Sequence, residues 1–374
     1  MPPSEDAVAW LTLTRAPGLA VPGLAAALAG LGSAQGILTA SPRRRRQAGL
    51  PASLEGFLVQ AAAAPTAAER RWLEHPRHHL IPFTDSRFPP QLLTSEGCPI
   101  ALYLDGDAQA LCEPQLAIVG SRNPTPQARE HAFEFAESLA RQGLTITSGL
   151  AIGIDAAAHR GALAAEGSTV AVLGTGVDLV YPRGNAALAR EISEHGVLVS
   201  ALPLATPARR GNFPQRNRLI AGLALGTLVV EAAQHSGSLI TARSAGEQGR
   251  EVFAIPGSIR NPLTRGCHEL IRQGAKLTET THDILTELDF SAAVEPRASA
   301  GFAHPEPSAN AAGMDNDHKI LLDALGFDPA DLDTLVVRTG FKPEVVSSMM
   351  LILELEGYVQ AAPGGRYSRV ARSP

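Results

Sequence analysis

Cysteine is scarce in this 374-residue chain: Cys98, Cys112 and Cys267 are odd in number, far apart and form no CxxC pair. That excludes a disulfide framework and a cysteine-based zinc site, and a reducing cytoplasm is the expected compartment. Long apolar runs are missing too. The longest, Leu219 to Val230, falls short of the ~20 residues a membrane span needs. The beginning of the chain carries Glu5 and Asp6 in place of a basic flank and a signal-type apolar run, so a soluble protein with no membrane partner is expected. Excess positive charge is also lacking: the formal net charge is −5 and the pI about 6.1. This excludes a histone-like binder but leaves room for a local basic groove, because screening makes the local field decisive. There is no nucleophile elbow, no Walker lysine motif, no metal-ligand cluster and no GxGxxG fingerprint after the first strand. No catalytic residue, metal or cofactor is therefore expected.

What is present centres on Gln115 to Gly149. The apolar strand Leu116-Ala117-Ile118-Val119 breaks at Gly120-Ser121-Arg122, and a helix is predicted from Pro126, with Thr125 as its N-cap. That helix carries Phe133, Phe135 and Leu139, stops near Gly143, and a strand follows at Leu144 to Thr147. This is a βαβ unit whose first turn offers free N–H groups, a hydroxyl and a guanidinium beside a helix N-terminus, a setting suited to phosphate.

The pattern divides the chain into residues 1–75, helical; 76–290, strand–turn–helix repeats; 291–313, a linker rich in Ala, Pro, Ser and Gly; and 314–374. In the first part, Val8 to Leu13 and Leu24 to Leu31 predict two helices around Pro17-Gly18. They suit a phosphate-meeting helical hairpin or, more commonly, an interaction module. The run Arg43 to Arg46 reads as a solvated loop that only sometimes touches nucleic acid. A Pro- and His-rich passage, Pro76 to Pro90, leads out. Six apolar strands are predicted next, near 116–119, 144–147, 169–173, 197–202, 227–230 and 251–255. Their lack of polar alternation implies burial on both faces, hence a Rossmann-like, doubly wound, mostly parallel α/β sheet. The last part predicts helices over Lys319–Leu325, Asp331–Arg338 and Pro343–Glu356. A hairpin from Tyr358 follows, turning at Pro363-Gly364-Gly365 into Arg366-Tyr367-Ser368. This is a winged helix whose acidic face at Asp328, Asp331 and Asp333 leans toward protein contacts.

Ligands bind where parallel strands end. Here those ends are polar and Gly-rich: Gly120-Ser121-Arg122, Ser148-Gly149 to Asp155, Gly174-Thr175-Gly176, and Glu231 to Ser236-Gly237-Ser238. Gly at one such turn commonly serves packing alone; four on one edge point to an anion-binding surface. The segment Arg209-Arg210-Gly211-Asn212-Phe213-Pro214-Gln215-Arg216-Asn217-Arg218 gathers four arginines around one aromatic with no acid among them. It suits phosphate and base stacking if Phe213 is exposed, and a solvated loop if Phe213 is tucked into the core. Asp155 and His159, at i and i+4 near Glu231, form either an acid–base pair or, more commonly, a structural hydrogen bond.

At these residues the chain resembles the DNA-processing protein A family (DprA, also called Smf). The stretches that carry the resemblance are Ala117 to Arg122, Ser148 to Asp155 with Ala158-His159-x-Gly161-Ala162-Leu163, and Ala171 to Gly174 with Gly176 and Asp178. Tyr181-Pro182-x-x-Asn185, Phe213-Pro214-x-Arg216-Asn217-Arg218-x-Ile220, Ser236 to Ala242 and Pro256-Gly257 complete them. The flanks resemble a SAM-like helical domain and the winged helix of some members. The resemblance implies a non-enzymatic homodimer that binds single-stranded DNA without sequence preference, protects it, and loads RecA recombinase onto it during natural transformation. It places the phosphate turn on Gly120, Ser121 and Arg122, a basic position on Arg183, and Phe213, Arg216 and Arg218 beside the pocket. Gly149, Gly174, Asn185, Asn212, Asn217, Ser236, Gly237 and Ser238 complete the candidate DNA- or phosphate-binding set. Ala128-Arg129 and His268 depart from the family's pattern. The alternative is a nucleoside-monophosphate phosphoribohydrolase of the lysine-decarboxylase-like group with Glu231 as its catalytic acid, although the Pro-Gly-Gly-x-Gly-Thr loop of that group is absent.

Overall fold

The computed structural model describes residues 3–60, 64–95, 97–290, 316–326, 329–362 and 364–370. The expected linker, Asp328 and Pro363 lie outside them.

Among the described residues the N-terminal part holds six short helices where two were expected: α1 (Glu5–Leu13), α2 (Val21–Leu31), α3 (Ala34–Thr39), α4 (Pro42–Gln47), α5 (Ala52–Leu58) and α6 (Ala67–Leu73). Side chains of Ser4, Ser33, Ser41 and Thr66 accept from the first-turn N–H groups of α1, α3, α4 and α6, which sets the starts of these short helices. Leu24, Ala27, Ile37, Leu50 and Leu54 close over Trp10 and Leu13 as one core. Arg43 to Arg46 belong to α4 and not to a loop. Arg45 is buried, bonded to both carboxylate oxygens of Glu55 and to the carbonyls of Ile37 and Leu38.

The central part is built on nine strands: β1 (His78–Pro82), β2 (Ala101–Gly106), β3 (Gln115–Val119), β4 (Thr145–Ser148), β5 (Thr169–Val172), β6 (Val197–Ser200), β7 (Gly226–Val229), β8 (Glu251–Ala254) and β9 (Lys276–Leu277). They lie in the order β1-β2-β6-β5-β4-β3-β7-β8-β9. All neighbours from β6 to β9 are parallel. The two strands added at the other edge, β1 and β2, are antiparallel. Strand β1 arises inside the Pro- and His-rich passage, where no strand was expected.

Between the strands run α7 (Pro126–Arg141), α8 (Ile154–Ala164), α9 (Ala186–His195), α10 (Asn212–Leu223), α11 (Ser238–Glu247), α12 (Arg265–Arg272) and α13 (Thr281–Glu287). Helices α7, α8 and α13 cover one face through Phe135, Leu139, Ala158 and Ile284 against Ile118, Ile146 and Leu228. On the other face, Ile220 of α10, Leu239 of α11 and Leu270 of α12 pack on Val119, Val172 and Val229. The sheet is doubly wound, as expected. From β3 the chain winds out to β6, then crosses back to β7 on the far side of β3, which makes the β3–β7 gap the topological switch point.

The helical part is continuous with this sheet. Leu11 of α1 packs with Tyr103, Leu173 and Val177, and the Thr14 hydroxyl lies 2.6 Å from the Tyr103 hydroxyl. The C-terminal part forms a winged helix from α14 (Asn316–Leu325), β10 (Ala330–Asp331), α15 (Leu332–Thr339), α16 (Pro343–Leu355), β11 (Val359–Ala362) and β12 (Arg366–Arg369). Its ribbon gains β10 as a third strand, in the order β10-β12-β11.

Candidate nucleic-acid interface

The switch point is closed by main-chain bonds. Ser121 N–H donates to the Glu231 carbonyl across the β3–β7 gap (2.7 Å), and the Ser121 carbonyl accepts from Ile154 N–H at the start of α8 (3.1 Å). Gly120 is required by space: a Cβ there would lie 2.7 Å from Ile154 and 3.0 Å from the Glu231 carbonyl. Pinned on both sides, the turn thrusts Arg122 and Asn123 into solvent, and the Ser121 hydroxyl accepts from Asn123 N–H.

Glu231 is 2% exposed. Its two carboxylate oxygens accept from the N–H and the hydroxyl of Thr125, while Thr125 Oγ1 caps α7 at Ala128. Burial pushes the carboxyl up from its ordinary range, and the Thr125 bonds oppose the shift. Glu231 therefore tethers the Gly120-Ser121-Arg122 turn to the helix that follows it. A carboxylate so engaged and covered is not placed to attack a glycosidic bond, which counts against the phosphoribohydrolase alternative.

The arginine segment is neither a loose solvated loop nor a core plug. Helix α10 starts at Asn212, whose amide donates to the Gly174 and Pro207 carbonyls. This holds the half-buried Phe213 ring over Gly174, where an added Cβ would lie 3.0 Å from the ring. The Arg122 guanidinium carbon lies 5.9 Å and that of Arg216 5.7 Å from the ring centroid; the Tyr181 ring is 5.9 Å away, tilted by 52°. Two cations on one aromatic form a positive, partly apolar platform.

Arg216 is the buried member, 9% exposed, with Nη1 3.8 Å from Asp155 Oδ2. Its Nε, fully covered, has no hydrogen-bond partner among the described residues. Burial lowers the Arg216 pKa and raises that of Asp155, each resisted by the other's charge. Asp155 also accepts from Ala151 N–H, so the pair ties α10 to the loop after β4. The expected Asp155–His159 bond is absent. His159 is fully buried and lies against Thr169 Oγ1 (2.7 Å). The Thr169 hydroxyl donates to the Ile146 carbonyl, so His159 Nδ1–H is the donor to Thr169 and Nε2 is left bare. Burial, with Arg216 and Arg160 nearby, pushes His159 down to about 3.

The remaining candidates divide. Arg183 and Arg218 are exposed, as are Arg209 and Arg210. Gly149 lies directly under Arg216. Asn185 is buried and its amide donates to the Leu150 carbonyl, so that group holds the loop after β4 and does not face solvent. Asn217 donates to the Gly237 carbonyl, joining α10 to the start of α11, where the Ser236 and Ser238 hydroxyls pair at 2.7 Å. Tyr181, 49% exposed, was absent from the candidate set; its signal was the Tyr-Pro dipeptide beside Arg183. His268 bonds the Gly257 carbonyl through Nε2 (2.9 Å).

Known proteins resemble the chain in this region and beyond it. The DNA recombination-mediator protein A profile matches residues 79–289, and the DprA winged helix domain profile residues 305–365. The Smf protein of Escherichia coli is 45% identical over 304 residues, covering 81% of this chain and 80% of its own. The DNA processing protein DprA of Streptococcus pneumoniae is 43% identical over 206 residues, 55% of this chain and 73% of its own. The crystal structure of S. pneumoniae DprA superposes with a TM-score of 0.64 at 33% identity, covering 77% of this chain and 99% of that one. A Helicobacter pylori DprA structure, described for its single-stranded DNA binding mode, gives 0.52 at 28% identity over 57% of this chain and 96% of that one. Taken with a doubly wound sheet that carries a Gly-Ser-Arg turn at its switch point, these matches show that the chain belongs to the DNA recombination-mediator protein A family.

Proposed function

We propose that this protein binds single-stranded DNA without sequence preference along the edge formed by Arg122, Tyr181, Arg183, Phe213 and Arg218. In this reading Gly120, Ser121 and Arg122 hold a phosphate, and the exposed part of the half-buried Phe213 ring meets a base. The observation that carries it is the half-buried Phe213 ring with the Arg122 and Arg216 guanidinium carbons 5.9 and 5.7 Å from its centroid at the switch point. Every base has a π-face and every nucleotide a phosphate, so such a platform takes any sequence. A duplex hides its base faces, and the platform therefore favours single strands.

The site works by binding and not by catalysis. The protein serves as a homodimeric mediator that shields incoming single strands and delivers them to RecA recombinase during natural transformation, in the cytoplasm. The identity with Smf and DprA proteins and the H. pylori structure's single-stranded DNA binding mode support this reading.

The test is fluorescence anisotropy with a labelled ~30-nucleotide oligomer, single- against double-stranded, across a salt series. Salt-sensitive binding that prefers the single strand and is weakened in Arg122→Ala is the expected result. Equal affinity for duplex, or an unaffected Arg122→Ala protein, would remove the site.

A further inference from the structure

The N-terminal helices carry a charge arrangement that the central site does not use. Successive residues of a helix are about 100° apart, so Arg43, Arg44 and Arg46 of α4 occupy an arc of about 160° centred opposite Arg45. Arg45 is the buried one, locked by its bonds to Glu55 of α5 and to the carbonyls that end α3. The other three are exposed, and no side-chain hydrogen bond or ion pair engages them among the described residues. Glu55, the acid that Arg45 engages, has both oxygens on that arginine. One arginine thus fixes a short helix so that three others face solvent on its far side, Arg46 feeling Glu55 only through space and without a hydrogen bond.

The sheet register gives this bundle its place. The C-terminal end of β6 pairs with the beginning of β2 (Ser200 with Tyr103), and the beginning of β2 pairs with the end of β1 (Ala101 with Pro82). Phe83 and Ile100, just beyond that pair, pack against the core of the N-terminal helices. Leu11 reaches the Leu173–Val177 stretch that carries Gly174 under Phe213. The helical bundle therefore flanks the same sheet edge that carries Arg122, Phe213 and Tyr181.

We propose that Arg43, Arg44 and Arg46 form a second phosphate-backbone contact, taking up a single strand as it leaves the central platform. The inference rests on the single-strand reading of that platform and extends the track into the helical domain. The ligand chemistry is a flexible polyphosphate chain: three separated guanidiniums on one convex helix suit successive phosphates, and no aromatic of α4 stands among them to read a base.

The experiment compares the full-length protein with a triple variant, Arg43→Ala, Arg44→Ala and Arg46→Ala, that keeps Arg45. Binding of ~30- and ~6-nucleotide single strands is followed across a salt series. The triple variant is expected to bind the longer strand about tenfold more weakly, with a salt slope lower by about 2, and the shorter strand as before. A triple Arg→Lys variant, which keeps the charges, should restore the longer strand. Unchanged affinity and slope for the longer strand, or an equal loss on both lengths, would overturn the proposal. Arg122→Ala separates the two readings, because it weakens both lengths if the central platform holds the strand.

Discussion

Arg216 lies against the bare α-carbon of Gly149: a Cβ placed there would be 1.4 Å from Arg216 Nη1. The guanidinium can reach both the Phe213 ring and Asp155 because the loop after β4 leaves this space empty.

Gly149→Ala should therefore act as a displacement of Arg216. The methyl group cannot share the position, and a buried side chain has no free space to retreat into. Denaturant unfolding should show a loss of about 1–3 kcal/mol, the usual range for overpacking. Single-strand affinity should fall with it, since Phe213 loses one of its two flanking cations. Wild-type binding by Gly149→Ala would mean that Arg216 does not support the platform.

Arg122→Ala should behave in the opposite way. The side chain is exposed, so the unfolding free energy should stay within about 0.5 kcal/mol of wild type. Binding should weaken for every sequence alike, and the salt slope should drop by about 0.7, the value for one phosphate contact on a single strand. A loss confined to certain sequences would indicate base reading and not phosphate holding.

Much of this architecture is legible before any coordinates. Strands β3 to β8 are short segments rich in apolar and β-branched residues and ended by Gly or polar turns, so their type follows from burial on two faces, although Thr145, Thr147 and Ser148 interrupt β4. Strand β1 escapes because His78-His79-Leu80-Ile81-Pro82 mixes polar residues with a proline. Its stability comes from pairing with β2 and from helices packed around Leu80 and Ile81, contacts distant in sequence. Four consecutive arginines carry no hydrophobic phase, so nothing local separates Arg45 from its neighbours; Glu55, ten residues on, makes the choice. Asp155 and His159 share a helix face, and spacing alone pairs them. The fold instead brings Arg216 to one and Thr169 to the other, from elements 61 and 10 residues away. At the site, the Gly-rich strand ends identify the edge, whereas the approach of Arg122 and the tilted Tyr181 ring to Phe213 depends on how α10 enters after β6.

Glu231→Ala tests whether that carboxylate is a tether or a catalyst. Removing it strands the Thr125 N–H and hydroxyl in a mostly buried place, a cost of about 1–3 kcal/mol for lost buried partners. The unfolding free energy should fall by that amount. Wild-type protein incubated with nucleoside monophosphates should release no free base. Release that disappears in Glu231→Ala would restore the hydrolase reading.

His159 predicts an acid-sensitive fold. It is neutral when folded, held down to about 3 by burial and by Arg216 and Arg160, whereas an unfolded histidine titrates near 6.5. Below about 6.5 the unfolded chain takes up a proton that the folded state refuses, so stability is full above that pH and declines as pH falls toward 3. The slope from this one group approaches about 1.4 kcal/mol per pH unit. Protonating Nε2 in the fold would set a second positive charge beside Arg216, whose own counter-ion stands 3.8 Å away. His159→Asn keeps an N–H at the δ position that faces Thr169 but cannot titrate. Its unfolding free energy measured from pH 7 to pH 4 should decline more gently than that of the wild type, by about the amount attributed to His159. Parallel curves for the two proteins would assign the acid sensitivity to other groups.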